Sequence, residues 1–106
     1  MTDLEMTKLC AEAMGYYLMR PSASDHAWHT AEQDYYDPLH NDAQAMALVK
    51  MLRPANLSYN IFAGRWSVHT LRDNETGARF ESFDADLNRA IVECVAKMQA
   101  AKAVQP

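Results

Sequence analysis

The sequence predicts an α+β fold: a three-stranded antiparallel sheet, or a slightly larger one, with flanking helices in the order α-α-β-β-β-α. Three segments repeat apolar residues at the spacing of one helical face, and two segments alternate apolar and polar residues as half-buried strands do. The 106 residues include only 3 glycines and 4 prolines, which argues against a chain made mostly of loops. With 49% hydrophobic and 23% charged residues, the composition predicts one globular domain over residues 1–106.

The first helix is predicted from Asp3 to about Met19. Thr2 and Glu5 have the spacing of a capping box at its start. Pro21 is expected to end it, because the residue before a proline avoids the helical region. The apolar face of this helix consists of Leu4, Leu9, Cys10, Ala13, Met14 and Tyr17.

Residues 22–40 follow as the least regular part of the chain. A loop of that length is uncommon inside a compact domain, so we expect the segment to be partly structured or functional. The second helix is predicted from about Ala43 to Leu52. Asn41 or Asp42 is its expected N-cap, and Pro54 its expected end.

Two strands, Leu57–Phe62 and Arg65–Leu71, form a predicted hairpin. With Ala63-Gly64 as a two-residue loop, Tyr59 would lie opposite Val68, and both would face the core. A third strand is predicted over residues 79–83. The last helix is expected to begin after Asp84 or Asp86 as its cap, and residues 102–106 are expected to fray.

Two segments resemble small proteins of tailed phages and prophages. They are Tyr-Tyr-Asp-Pro-Leu-His-Asn-Asp-Ala-Gln-Ala at 35–45 and Asp-Leu-Asn-Arg-Ala-Ile-Val at 86–92. The chain is identified on these motifs as similar to the phage ABA (α-β-α) sandwich domain family. That resemblance implies origin and fold but no activity. From the residues themselves, Arg89 is expected to reach an acidic side chain such as Asp86 or Asp42.

Charge is concentrated in the first half of the chain. The net charge is −4 from 14 acidic and 10 basic residues, and residues 1–53 hold eight of the acidic and four of the basic ones. This balance disfavours nucleic acid as a partner. No apolar run is long enough for a membrane helix, and the acidic N-terminus is unlike a signal peptide. We therefore expect a cytoplasmic protein of a bacterial host, with Cys10 and Cys94 as small core residues and a disulfide between them as the alternative.

The pattern Asp25-His26-x-x-His29-x-x-Glu32-x-Asp34 contains residue types that bind transition metals. His26 and His29 are the candidate ligands, and they would share a face only if the segment were helical. A polar loop with exposed histidines is the alternative. Since two more ligands would have to come from elsewhere in the chain, we predict no metal and no cofactor.

The predicted sheet register suggests a second group of residues that could carry chemistry. If Thr70 lies opposite Phe80, then His69 lies between Ser58 and Glu81 on the polar face. These are the residue types of a nucleophile, a base and an orienting carboxylate. A flat strand, however, offers no sharp nucleophile turn and no evident oxyanion hole. A solvated row of polar cross-strand neighbours is the simpler interpretation.

Two further groups could bind ligands or partners. Arginines near the strand ends could hold a small anion or merely be solvated; they are Arg65, Arg72 and Arg79. Aromatic residues outside the predicted elements could cover the core or form an interface; they are Trp28, Tyr35 and Tyr36.

No phosphate-binding loop, dinucleotide fingerprint, CxxC pair or zinc-protease motif occurs. We therefore predict a non-enzymatic phage or prophage accessory protein that binds a host or phage protein, with a homodimer as an open alternative. The second hypothesis is a protein that binds or sequesters a small anionic, nucleotide-like ligand. The third is a metal-dependent or serine hydrolase built on the constellations above.

Overall fold

The computed structural model describes residues 1–52, 55–70 and 79–103. In these ranges, three helices and two antiparallel sheets form a mixed α+β fold, which confirms the predicted class. No helix in the described ranges is both long and apolar enough to cross a bilayer. The elements are α1 Asp3–Ala13, β1 Leu18–Pro21, β2 Trp28–Thr30, α2 Asp42–Leu52, β3 Ala55–Asn60, β4 Arg65–Thr70, β5 Glu81–Asp84 and α3 Leu87–Ala103.

The start of α1 is as predicted. Thr2 is its N-cap, with an extended backbone, and its hydroxyl accepts the N–H of Glu5 at 3.1 Å. This contact satisfies one of the four N–H groups that a helix leaves without an internal partner at its start. The capping pattern read from the sequence therefore sets this end of the helix.

The end of α1 lies at Ala13, so the prediction of a helix to about Met19 is wrong. Tyr17, predicted on its apolar face, lies beyond the helix and is exposed. Gly15 places the backbone in the left-handed region, with φ of 75°. The N–H of Tyr16 then bonds back to the carbonyl of Ala11 at 3.0 Å. This is the closing arrangement of a Schellman motif, in which glycine ends the helix because it has no Cβ to clash.

The segment predicted as irregular, residues 22–40, contains β2 of a small two-stranded sheet, and β1 covers the residues predicted to end the first helix. β1 and β2 pair antiparallel, with Pro21 opposite Trp28. Pro21 therefore belongs to a strand and does not end the helix. Beyond β2 the chain folds back once more, so that Trp28 and Tyr36 exchange two backbone hydrogen bonds of 3.0 and 2.7 Å. Residues 22–40 are thus structured by backbone pairing rather than by helical periodicity.

α2 begins at Asp42, one residue before the predicted Ala43. The side-chain oxygen of Asn41 accepts the N–H of Gln44 at 3.0 Å, which makes Asn41 the N-cap. The predicted stop at Pro54 lies outside the described residues.

The β3–β4 hairpin has a different register from the predicted one. Tyr59 lies opposite Trp66 and not opposite Val68, because the loop holds four residues, 61–64, in place of two. The slip is of two residues, so each paired residue keeps its predicted side of the sheet. Val68 is buried as predicted, but Tyr59 is 49% exposed, so its predicted place in the core is wrong. Asn60 stabilises this longer loop, since its side-chain oxygen accepts the N–H of residues 62 and 63.

β5 begins at Glu81, two residues later than predicted, and pairs with β4 so that His69 lies opposite Glu81. This pairing is the one predicted. α3 begins after Asp86, whose carboxylate accepts the N–H of Asn88 at 3.0 Å. The helix continues through Lys102, within the segment predicted to fray, and residues 104–106 lie outside the described part.

The core lies where α3 meets α1, α2 and the three-stranded sheet. Cys10 and Cys94 are free, buried thiols in this core, so the core prediction is confirmed and the disulfide alternative is wrong. Each thiol donates a hydrogen bond to a backbone carbonyl. Cys10 donates to the carbonyl of Val92, and Cys94 donates to that of Phe80. The largest fully buried side chains are Tyr36, Leu48, Val68, Ile91, Val92 and Val95.

Arg89 pairs with Asp3 and not with either of the predicted acids. The first turn of α1 lies beside the first turn of α3, which the linear sequence does not reveal. Asp42 instead accepts a hydrogen bond from the amide of Asn88 at 2.8 Å. Asp86 is engaged in capping α3.

Candidate functional site

Two imidazoles and a carboxylate converge beside the start of α2, and we call His26, Asp37 and His40 the His–Asp–His cluster. One carboxylate oxygen of Asp37 lies 3.2 Å from Nδ1 of His26 and 3.0 Å from Nδ1 of His40. The potential ligand atoms of the three residues all lie within 4.8 Å of one another. The two imidazole rings have centroids 4.4 Å apart.

Backbone pairing brings the cluster together. The bridge between Trp28 and Tyr36 holds the chain before residue 28 next to the chain after residue 36. A turn brings His40 next to Asp37: the His40 N–H donates to the carbonyl of Asp37 at 3.1 Å. The Asp37 N–H in turn donates to the side-chain oxygen of Gln44 at 2.6 Å, which ties this turn to α2.

The cluster is buried on one side and open on the other. The Asp37 side chain is 7% exposed, that of His26 30% and that of His40 59%. Nδ1 of His26 is buried and forms no hydrogen bond in the described structure, although the Asp37 carboxylate is close. A buried polar atom without a partner is costly, so this nitrogen is an unsatisfied donor or acceptor aimed at the cluster.

Only one of the two predicted metal ligands belongs to this cluster. His29 lies in β2, where its Nδ1 donates to the carbonyl of Asp34 at 2.7 Å. His26 is retained, and its neighbours are Asp37 and His40, which the sequence reasoning missed. The Asp37-Pro-Leu-His40 turn is a local signal that could have found that pair, since turn residues three apart lie close together.

The second feature is an exposed apolar surface at the end of the β3–β4 hairpin. We call Ile61, Phe62, Arg65 and Phe83 the tip surface; they line an open groove of about 420 Å³. Phe62 is 96% exposed and Ile61 74%. The Arg65 guanidinium lies over the Phe83 ring, 4.6 Å from its centroid.

The predicted row of Ser58, His69 and Glu81 does not form. Because the hairpin register differs by two residues, Ser58 lies opposite Ser67, and their hydroxyls are 2.6 Å apart. His69 lies opposite Glu81, as predicted, and opposite Asn56 on its other side. The serine is therefore two residues away from the position that the constellation required.

The predicted arginine group is also divided. Arg65 lines the groove of the tip surface, whereas Arg79 lies 3.9 Å from the Glu81 carboxylate. Arg72 lies outside the described residues. Of this group, Arg65 is the one that a ligand in the groove could contact.

The three predicted interface aromatics have different environments. Tyr36 is buried in the core, with its ring 5.4 Å from that of Tyr16. Trp28 is half-buried, and its indole N–H donates to the Leu4 carbonyl at 3.0 Å. Tyr35 is exposed, and its hydroxyl lies 3.1 Å from that of Ser24. Of the three, Tyr36 therefore belongs to the core, Trp28 is bonded to α1, and Tyr35 remains at the surface.

Comparison of the chain with protein-family models, with curated proteins and with solved structures finds no match.

Proposed function

We propose that this chain acts by binding a partner protein through the tip surface, and that the partner offers an acidic side chain flanked by apolar ones. The observation that carries the proposal is the adjacency of Ile61 and Phe62. Among the described residues, they are the two most exposed large hydrophobic side chains.

Folding does not require apolar residues at these two positions. The turn is held by Asn60, whose side chain accepts two backbone N–H groups, and by Gly64, with φ of 66°. The side chains of Ile61 and Phe62 are exposed and so contribute almost nothing to the core. Contiguous exposed apolar groups are typical of interaction sites, and aromatic residues beside an arginine are typical of binding hot spots.

The charge of the groove indicates the partner's chemistry. Within residues 1–52, 55–70 and 79–103, Arg65 is the only charged residue lining it, and no carboxylate does so. A guanidinium binds a carboxylate in a paired geometry that a lysine does not offer. The favoured occupant is therefore an apolar peptide segment with an aspartate or glutamate.

The test is an NMR titration of the folded chain with two synthetic peptides, one alternating leucine and glutamate and one alternating leucine and lysine. We expect the glutamate peptide to shift the backbone amides of residues 61–67 and 83 with saturation, and the lysine peptide to bind more weakly. Phe62→Ser should weaken binding of the glutamate peptide at least about tenfold. Arg65→Ala should abolish the difference between the peptides.

Tyr17→Ser is the matched control, because Tyr17 is 71% exposed and does not line the groove. It should leave both titrations unchanged. Equal shifts with both peptides, or shifts outside the tip surface, would overturn the proposal. Light scattering adds another outcome: a dimer that Phe62→Ser dissociates would assign the surface to a second copy of this chain instead.

The phage or prophage origin, the cytoplasmic location in a bacterial host and the homodimer remain predictions.

A further inference from the structure

We propose that His26, Asp37 and His40 bind one divalent transition-metal ion. This site is separate from the tip surface and does not depend on the proposed function. It differs from the ligand set expected from sequence, since His29 is replaced by Asp37 and His40.

The distances fit a single ion. A zinc ion about 2.0–2.2 Å from each of its ligands places neighbouring ligand atoms roughly 3–3.5 Å apart. In the cluster, the two imidazole nitrogens lie 3.2 and 3.0 Å from the same Asp37 oxygen. All the potential ligand atoms lie within 4.8 Å of one another, so an ion between them would need side-chain rotations but no rearrangement of the backbone.

The unsatisfied nitrogen of His26 favours a ligand over a purely structural cluster. His40 donates a hydrogen bond to the Asp37 carboxylate, so that pair is complete without an ion. Nδ1 of His26 has no such bond despite its burial. A metal ion would use the lone pair of this nitrogen and would neutralise the buried Asp37 carboxylate, whose isolation from water is otherwise costly.

Neighbouring residues fix the backbone on which two of the ligands stand, which limits where their side chains can lie. The buried hydroxyl of Thr7 donates to the backbone carbonyl of His26 at 2.6 Å. The side chain of Gln44 accepts the N–H of Asp37 and donates to the carbonyl of Tyr35 at 3.0 Å. The cluster is thus anchored to α1 on one side and to α2 on the other.

The ligand types define the class of ion. Two imidazoles and one carboxylate suit zinc, cobalt, nickel and iron(II), whereas calcium and magnesium take oxygen ligands. Three protein ligands leave a fourth position, which water can occupy on the exposed side next to His40. That position is where a bound ion would meet a small anionic or polar ligand.

The experiment uses the full chain without a histidine tag. Dialysis against zinc followed by elemental analysis should give one zinc per chain, and titration with cobalt(II) should give visible absorption of a site with nitrogen and oxygen ligands. His40→Gln and Asp37→Asn should each weaken zinc binding about 100-fold or more, because loss of even an outer-sphere partner costs about 10- to 100-fold.

His29→Gln is the matched control and should leave zinc binding unchanged, since that histidine bonds to a backbone carbonyl elsewhere. If Asp37→Asn fails to fold, as judged by circular dichroism, His40→Gln is the variant that tests the proposal. Because His40 is exposed, its replacement should leave the fold intact. Two results would overturn the proposal: zinc binding insensitive to His40→Gln, and no zinc retained by the unaltered chain.

Discussion

Arg89 holds Asp3 with two hydrogen bonds of 3.0 Å each, although 86 residues separate them in the chain. The guanidinium uses both terminal nitrogens against both carboxylate oxygens, which is the paired geometry that gives such contacts their specificity. The contact joins the first turn of α1 to the first turn of α3. Glu93, one helical turn beyond Arg89, lies 3.8 Å from the same guanidinium.

Replacing Asp3 by asparagine should lower stability in a pH-dependent way. The Arg89 hydrogen bond lowers the pKa of Asp3, so the pair stabilises the folded protein above the ordinary aspartate pKa of about 4, and this stabilisation disappears as the pH falls through the lowered value. Both side chains are about a third exposed, so the loss in unfolding free energy at neutral pH should be below about 1 kcal/mol.

Urea unfolding of the Asp3→Asn variant and the unaltered chain measures this difference at neutral pH and again near pH 2. Glu12→Gln is the control, since Glu12 is exposed and its side chain has no ion pair among the described residues. An equal difference for Asp3→Asn at both pH values would contradict the assignment of the effect to the ion pair.

Gly15→Ala should destabilise the protein through the backbone alone. A Cβ at Gly15 would have no atom within 4 Å, but φ is 75°, and the left-handed region costs an L-residue about 1–2 kcal/mol. Asparagine tolerates that region better, so Gly15→Asn should lose less. Chemical denaturation measures the free energy of unfolding of the two variants. Equal losses of that free energy would speak against the backbone explanation.

Both thiols should be unreactive in the folded protein. Burial raises the pKa of Cys94 to about 11 and also raises that of Cys10. Because the thiolate is the reactive form, neither should be modified by a disulfide reagent in mildly alkaline buffer until denaturant is added. The variant Ala31→Cys, at an exposed position, serves as the reactive control. Rapid modification of either native thiol without denaturant would contradict the prediction.

Asn60→Ala should loosen the hairpin turn. The Asn60 side-chain oxygen accepts the N–H groups of Phe62 and Ala63 at 2.9 and 3.0 Å, and losing such contacts costs about 1 kcal/mol. Asn60→Asp keeps the acceptor and should retain most of the stability. Hydrogen exchange at the two amides reports the change directly. Faster exchange in the aspartate variant than in the alanine variant would be the opposite of this expectation.

If the His–Asp–His cluster binds zinc, the metal should stabilise the fold by mass action. At a free zinc concentration of 100 times the dissociation constant, the gain in unfolding free energy is about 2.7 kcal/mol. Thermal unfolding with zinc and then with excess chelator measures this gain as a shift in the unfolding temperature. The shift should be absent from the His40→Gln variant. A shift of the same size in that variant would place the stabilising zinc elsewhere.

Features that depend on near neighbours in the chain were predictable. The Thr2 cap, the Asp86 cap and the alternating faces of β3 and β4 were all read from residues within a turn or a strand of one another. The end of α1 is an exception: Gly15 is the local signal that ends the helix, whereas Pro21, from which its end is predicted, lies in β1.

Other features depend on which distant segments meet. The β3–β4 register follows from a four-residue loop that lacks a strong turn pair such as Asn-Gly. His26 was a candidate ligand from its residue type, but its partners Asp37 and His40 reach it only after Trp28 and Tyr36 pair through their backbones. Backbone pairing is largely independent of side-chain identity, so it leaves little trace in the sequence.

The sequence by itself determined the fold class, the starts of the helices and the faces of the strands, because caps and periodicity act over a few residues. The tertiary structure alone decided the partner of Arg89, the strand register and the composition of the His–Asp–His cluster. Each of these depends on the packing of segments far apart in the chain, and burial in a shared core is what brings them within hydrogen-bonding distance.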